Sequence, residues 1–184
     1  MLVEAEIWTI ARTDQGNAVL IRPIGAETAV PIFMGQLEAQ SILIGLGSVP
    51  MPRPLTHDLF INIFKQLKTT ILRIEINSLI NGTFFARLIL KNGKNELTID
   101  CRPSDAIGLA VRKKCTIYID EEIVDEAGIA VSSITNKTVE SNNELNKTEI
   151  KMLKLELEKV IEVEDYEEAA RIRDRINKLE NDSK

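Results

Sequence analysis

Ile71-Leu72-Arg73-Ile74-Glu75-Ile76-Asn77-Ser78-Leu79, then Asn81-Gly82, then Thr83 to Lys91, then Asn92-Gly93, then Glu96-Leu97-Thr98-Ile99-Asp100 is the stretch that decides the fold. Three runs rich in strand-forming residues are divided by two Asn-Gly pairs, and Asn-Gly tolerates the positive φ angles of a tight hairpin. The pattern predicts an antiparallel meander. A helix from Asp105 to about Lys113, capped by Ser104, follows, and then a strand from Thr116 to Ile119. Strands and helices are mixed without strict alternation. The expected class is α+β, a mixed, largely antiparallel sheet with packed helices, followed by a C-terminal antiparallel helical hairpin.

Upstream, Val3 to Ile10 alternates as a half-buried strand, and Asp14-Gln15-Gly16-Asn17 turns it into Ala18-Val19-Leu20-Ile21. Ala29 to Phe33 is a third strand, whose Pro31 favours an edge or a strand start. A helix is expected from about Gln36 to Leu46, ended by Gly47 and the prolines of Pro50-Met51-Pro52-Arg53-Pro54. The next helix takes Thr56 as its cap and Asp58 in its first turn, with Leu59, Ile63 and Leu67 on its inner side.

With 184 residues and 44% hydrophobic types, the chain can bury one ordinary core and carry a small appendage. The expected division is a domain over residues 1–128, a polar linker over 129–147 and the hairpin over 148–184. Residues 1–127 hold 13 Lys/Arg against 15 Asp/Glu, a net of −2, and the remaining 10 against 13 give −3. Neither part is basic, which disfavours stable nonspecific binding to nucleic acid but leaves a transient or metal-bridged encounter open. The acidic start Met1-Leu2-Val3-Glu4-Ala5-Glu6 lacks the basic patch and apolar run of a secretory peptide, and no stretch has the length of a membrane span. A cytoplasmic protein without a membrane partner is expected. Cys101 and Cys115 read as free thiols, too few for a cysteine metal site.

In the last quarter, apolar residues recur at Ile150, Leu153, Leu157 and Val160, and again at Ala169, Ile172, Ile176 and Leu179, one stripe per helix. Ala169-Ala170 removes bulk where two helices cross, and Glu164-Asp165 suits the turn between them. The stripes would serve either to recruit a protein or to cover the first domain. These residues, with Tyr166 and Arg173, resemble the UVR motif, the short helical hairpin of the B and C subunits of the bacterial excision nuclease. The resemblance implies a protein partner bound through Leu153, Leu157, Tyr166, Ala169, Ala170, Ile172, Arg173 and Ile176. An exposed apolar stripe also predicts self-association, with a homodimer as the first expectation.

Arg53-Pro54-Leu55-Thr56-His57-Asp58 and Arg102-Pro103-Ser104-Asp105 share a design in which Arg-Pro precedes a hydroxyl cap and a first-turn Asp. Pro fixes the approach to the helix, the hydroxyl binds open N–H groups and Asp gains from the helix dipole, so each segment alone has a sufficient structural account. Together, His57, Asp58, Asp100 and Asp105 near two arginines suit divalent metal binding, water activation and phosphate binding. These segments, with Pro31-Ile32 through Glu38 and Phe84-Phe85-Ala86, resemble the bifunctional nuclease domain family, to which DNase and RNase activity have been ascribed. The resemblance implies phosphodiester hydrolysis. In that reading Asp58 and Asp105, completed by Asp100 or Glu38, hold magnesium or manganese. His57 acts as general acid or base, and Arg53 and Arg102 hold the phosphate, whose bidentate recognition suits arginine. The alternative is a noncatalytic oligomeric adaptor or regulator that recruits its partner through the hairpin. A weaker third reading is a small anionic ligand held where the two helix N-termini and these arginines converge.

Overall fold

In the computed structural model, residues 1–13, 16–134, 153 and 171–172 are described. The chain divides into two compact units, Met1–Val131 and Ser132–Lys184. The first holds an eight-stranded sheet built from two three-stranded meanders. One is β1 (Leu2–Thr13), β2 (Gly16–Pro23) and β3 (Thr28–Met34), and the other is β4 (Thr69–Ile80), β5 (Thr83–Asn92) and β6 (Asn95–Cys101). Between them lies β7 (Thr116–Asp120), antiparallel to β1 and parallel to β4. With β8 (Ile129–Ala130) the spatial order is β6-β5-β4-β7-β1-β2-β3-β8.

The second meander follows the pattern in its sequence except at Asn92, which stays in β5 opposite Asn95 and leaves that turn to Gly93 and Lys94; at the first turn Asn81 and Gly82 both take positive φ, 51° and 76°, in the left-handed region. Only there does the hairpin twist match that of the strands it joins. Pro31 lies on the part of β3 beyond the two residues, Thr28 and Ala29, that β8 pairs. Four helices are described in this unit: α1 (Gln36–Leu46), α2 (Thr56–Gln66), α3 (Pro103–Lys113) and α4 (Glu121–Ala127). Alternate strand residues Val19, Ile21, Val30, Ile32, Ile74, Ile76, Leu88, Leu90, Ile117 and Ile119 form one core with Ile42 of α1 and Ala106, Ile107, Leu109 and Ala110 of α3. Aliphatic side chains fill it with few rotamers to freeze, and among the described residues no aromatic ring is fully buried.

Three local expectations are corrected. Ser104 is buried inside the first turn of α3 rather than capping it, because Pro103 takes the first helical position, where a missing N–H is harmless, and moves the cap to Arg102. Thr56 likewise lies inside α2. The cap is Leu55, whose N–H donates to Asp58 Oδ2 at 3.0 Å. Leu59, Ile63 and Leu67 are 52%, 41% and 62% exposed, so the inner side of α2 is instead His57, Ile61 and Phe64. The α2 sequence is apolar on two stripes, and docking on α3 and β4 chose between them. α4 and β8 carried too little periodicity to be read in advance, and β8 places Ile129 and Ala130 in the sheet, so the division falls after Val131.

On the sheet face away from that core, one register line crosses five strands: Glu4, Tyr118, Glu75, Arg87, Asp100. Glu75 is only 4% exposed, and its carboxylate accepts from Arg73 Nε at 2.8 Å while Arg87 Nε approaches at 3.1 Å without aligning its N–H. A buried carboxylate persists only with such partners.

Within the segment expected to form a hairpin, Leu153, Arg171 and Ile172 are described and helical, Leu153 half-buried and Ile172 buried. Leu157, Tyr166, Ala169, Ala170, Arg173 and Ile176 lie outside the described residues, as does most of the expected linker.

Candidate functional site

α1 and α3 lie side by side, N-terminus with N-terminus. Glu38 of α1 meets Arg102 at the start of α3, and Gly45 near the end of α1 meets Val111 and Arg112, where a Cβ would stand 2.5 Å from Val111 Cγ2. Such an approach needs glycine. The facing residues are Glu38, Ser41 and Gly45 on α1 and Asp105, Gly108 and Arg112 on α3, each set at the three-to-four spacing of one helix face. The start of α2 closes this seam and sets the His57 ring over Gly108. A Cβ on Gly108 would land on Nε2, 2.7 Å from Cδ2 and 2.9 Å from Cε1.

At one end of the seam Arg102 grips Asp105 with both arms, Nε to Oδ2 at 2.8 Å and Nη2 to Oδ1 at 3.1 Å, and reaches Glu38 Oε1 at 3.4 Å. In the middle, Ser41 Oγ lies 3.0 Å from His57 Nδ1, and His57 Nε2 lies 4.0 Å from Asp105 Oδ1. Deeper, Arg112 is only 7% exposed. It donates to Asp58 Oδ1 at 2.8 Å, Gly108 O at 2.9 Å and Ser41 Oγ at 3.3 Å. The result is two polar clusters that face each other at His57 and Asp105, the deeper one holding three helices through a buried guanidinium with three acceptors.

Burial first, and Arg112 second, hold the His57 pKa below its ordinary value of 6.5, against the pull of Asp105 and Asp58. The ring is therefore neutral at neutral pH. Ser41 can take Nδ1–H as acceptor while it also accepts from Arg112, which leaves Nε2 as a base facing Asp105. An imidazolium formed there would meet a carboxylate at once. Cys101, beside the site, is a poor nucleophile, since burial and the Asp105 and Asp100 charges push its thiol up to about 11.

Of the residues named from the sequence, Glu38, His57, Arg102 and Asp105 lie together. Asp58 joins them only through Arg112. Asp100 does not join them: strand alternation turns it toward Arg87, and Cys101 takes the side of the core. Arg53 lies apart from Arg102, in a cavity at the other end of the seam. Among the described residues no three His, Cys, Asp or Glu are placed to share a metal ion. The two carboxylates that do converge, Glu38 and Asp105, meet on the guanidinium of Arg102, so this donor set fits a bound cation only in part. Ser41, Gly108 and Arg112 were missed. Arg112 stands in no motif, yet its spacing of seven from Asp105 and four from Gly108 was the signal that it shares their face.

The fold and this seam define an α+β domain that presents a histidine, two carboxylates and a phosphate-competent arginine on the ends of packed helices. The chain belongs to the bifunctional nuclease domain family, whose model matches residues 19–132, and a UvrB/UvrC motif matches residues 147–182. An uncharacterized protein of Mycobacterium tuberculosis is 34% identical over 113 residues, 61% of this chain and 67% of its own length. Bifunctional nuclease 2 of Oryza sativa subsp. japonica is 29% identical over 108 residues, 57% of this chain and 33% of its own. Bifunctional nuclease 2 of Arabidopsis thaliana is 22% identical over 174 residues, 85% of this chain and 53% of its own. The chain thus spans about a third to a half of these plant relatives. No helix among the described residues is long and apolar enough to cross a membrane.

Proposed function

We propose that the domain hydrolyses phosphodiester bonds of DNA or RNA at the seam of α1, α2 and α3. The observation that carries the reading is the position of the His57 ring, with Nδ1 3.0 Å from Ser41 Oγ and Nε2 4.0 Å from Asp105 Oδ1. His57 takes a proton from the attacking water at Nε2, and Asp105 stabilises the imidazolium. Arg102, 66% exposed on its side chain, exchanges part of its hold on Glu38 and Asp105 for the substrate phosphate. Magnesium or manganese belongs to this proposal as a competitor for the same two carboxylates, with Asp58 kept on Arg112. Family membership supports the reaction class.

The test is hydrolysis of labelled single-stranded DNA, duplex DNA and RNA by purified protein, with magnesium, manganese or chelator, beside folded His57→Gln and Asp105→Asn proteins. Cleavage lowered at least 100-fold in both variants is expected. Equal traces in all three proteins would discard the reading. The UvrB/UvrC motif favours a second role beside the first, recruitment of a protein partner through residues 147–182, with self-association as a dimer. Sedimentation and pull-down with and without that segment measure both.

A further inference from the structure

At the far end of the seam from Arg102, the C-terminal turns of α1 and α3, the 48–54 loop and α2 border an open cavity of about 440 Å³. That size falls within the roughly 300–1,000 Å³ of small-molecule sites. Its lining is divided. Ile44, Val49, Met51, Ile61 and Val111 form an apolar wall, and the polar side carries Arg53, Lys114 and Asn62. Asp58 and Arg112 also border it, but they neutralise each other at 2.8 Å, so Arg53 and Lys114 leave the cavity cationic.

Helix C-termini oppose anions, and capping bonds relieve part of that opposition here. Gly47 N–H, Ser48 N–H and Val49 N–H donate to Leu43, Gly45 and Ile44, and Lys114 N–H and Cys115 N–H both donate to Ala110. Arg53 and Lys114 set two positive charges against the carbonyls that remain open. Met51 and Val49 stay 44% and 51% exposed at the mouth, apolar surface that a ligand would cover.

We infer that this cavity is a nucleotide subsite, which takes a nucleoside monophosphate unit with its phosphate on Arg53 and Lys114 and its base against Met51, Ile61 and Val111. Asn62 carries an amide with two donors and an acceptor, the complement of a base edge. The inference rests on the proposed hydrolysis and deepens it. The Asp58–Arg112 pair borders both the cavity and the His57 cluster, and so links the two sites. Sequence reading had placed Arg53 with Arg102 on one phosphate; the fold sets Arg53 in the cavity lining apart from Arg102, so in this assignment the two serve separate phosphates.

Titration calorimetry of the full chain with 5′-UMP, 5′-AMP, ribose 5-phosphate and inorganic phosphate tests it without turnover. Both mononucleotides should bind at least about tenfold tighter than ribose 5-phosphate. Arg53→Gln should weaken them about tenfold, the loss of one charged hydrogen bond at a solvated site. Lys114→Asn should do the same while suiting the left-handed backbone at φ 56°. Asn62→Leu should change the ratio between the two bases and leave ribose 5-phosphate unaffected. Absence of mononucleotide binding, indifference to both cation variants, or equal affinity for ribose 5-phosphate would each overturn the assignment. Binding as expected without polynucleotide cleavage would refute the hydrolysis and keep the subsite. Cleavage without mononucleotide binding would refute the subsite alone.

Discussion

Gly108→Ala tests the seam at its tightest point. In the middle of an ordinary exposed helix this change stabilises by about 0.5–1 kcal/mol, because alanine loses less backbone entropy. Here the new methyl would occupy the space of the His57 ring, 2.7 Å from Cδ2, and the ring is held from its other side by Ser41 at 3.0 Å. Forcing it aside breaks that hydrogen bond and packs α2 less closely, a change worth about 1–3 kcal/mol. The net is a destabilisation of about 1–2 kcal/mol, or a fall in Tm of about 2–8 °C for a chain of this size. In a His57→Ala background the obstacle is gone, and the same Gly108→Ala change should stabilise by its usual amount. The sign should therefore reverse across the double-mutant cycle, read by thermal unfolding with circular dichroism. A Gly108→Ala substitution that raises Tm equally in both backgrounds would refute the placement of the ring.

Three further outcomes are expected. His57 is the single histidine, so its ring proton resonances report one titration: the midpoint should lie below 6.5, and Asp105→Asn should lower it further by removing a charge that raises it. Because the unfolded chain takes up this proton at a higher pH than the folded one does, stability should decline as pH falls through about 6.5, and His57→Gln should flatten that slope. On the far sheet face, the Arg73→Ala, Arg87→Ala double variant strands a carboxylate that is 4% exposed and should cost about 3–5 kcal/mol in chemical denaturation, whereas Glu75→Gln, which leaves two half-exposed arginines free to hydrate, should cost about 1–2. Cys101, with its thiol pushed up to about 11, should resist iodoacetamide at pH 8 in the native protein and react promptly once the chain is unfolded in urea.

The sheet was largely legible because its signals are local. Asn81-Gly82 needs only its own φ angles to turn a chain, and alternation along Ile71 to Asp100 needs only the two faces of a strand. α1 was legible for the same reason, and so were Arg102 and Asp105, whose grip spans three residues of one helix. The parallel join of β7 to β4 and the pairing of β8 with β3 depend on partners distant in sequence, and no local period encodes a partner.

Sequence alone thus determined the class of fold, the two Arg-Pro helix starts and the family to which they belong. The tertiary structure decided which of two apolar stripes on α2 turns inward, and with it the neighbours of His57. It sent Asp100 to the far face, separated Arg53 from Arg102, and brought in Ser41 and Arg112, residues ordinary in their own segments. A helix or strand follows from the spacing of neighbours along the chain, but a site is made of side chains 16 to 71 positions apart, such as Ser41 with His57 and Ser41 with Arg112. Their meeting is fixed by packing: two glycines, Gly45 and Gly108, let α1, α2 and α3 approach closely enough for one buried guanidinium to hold all three.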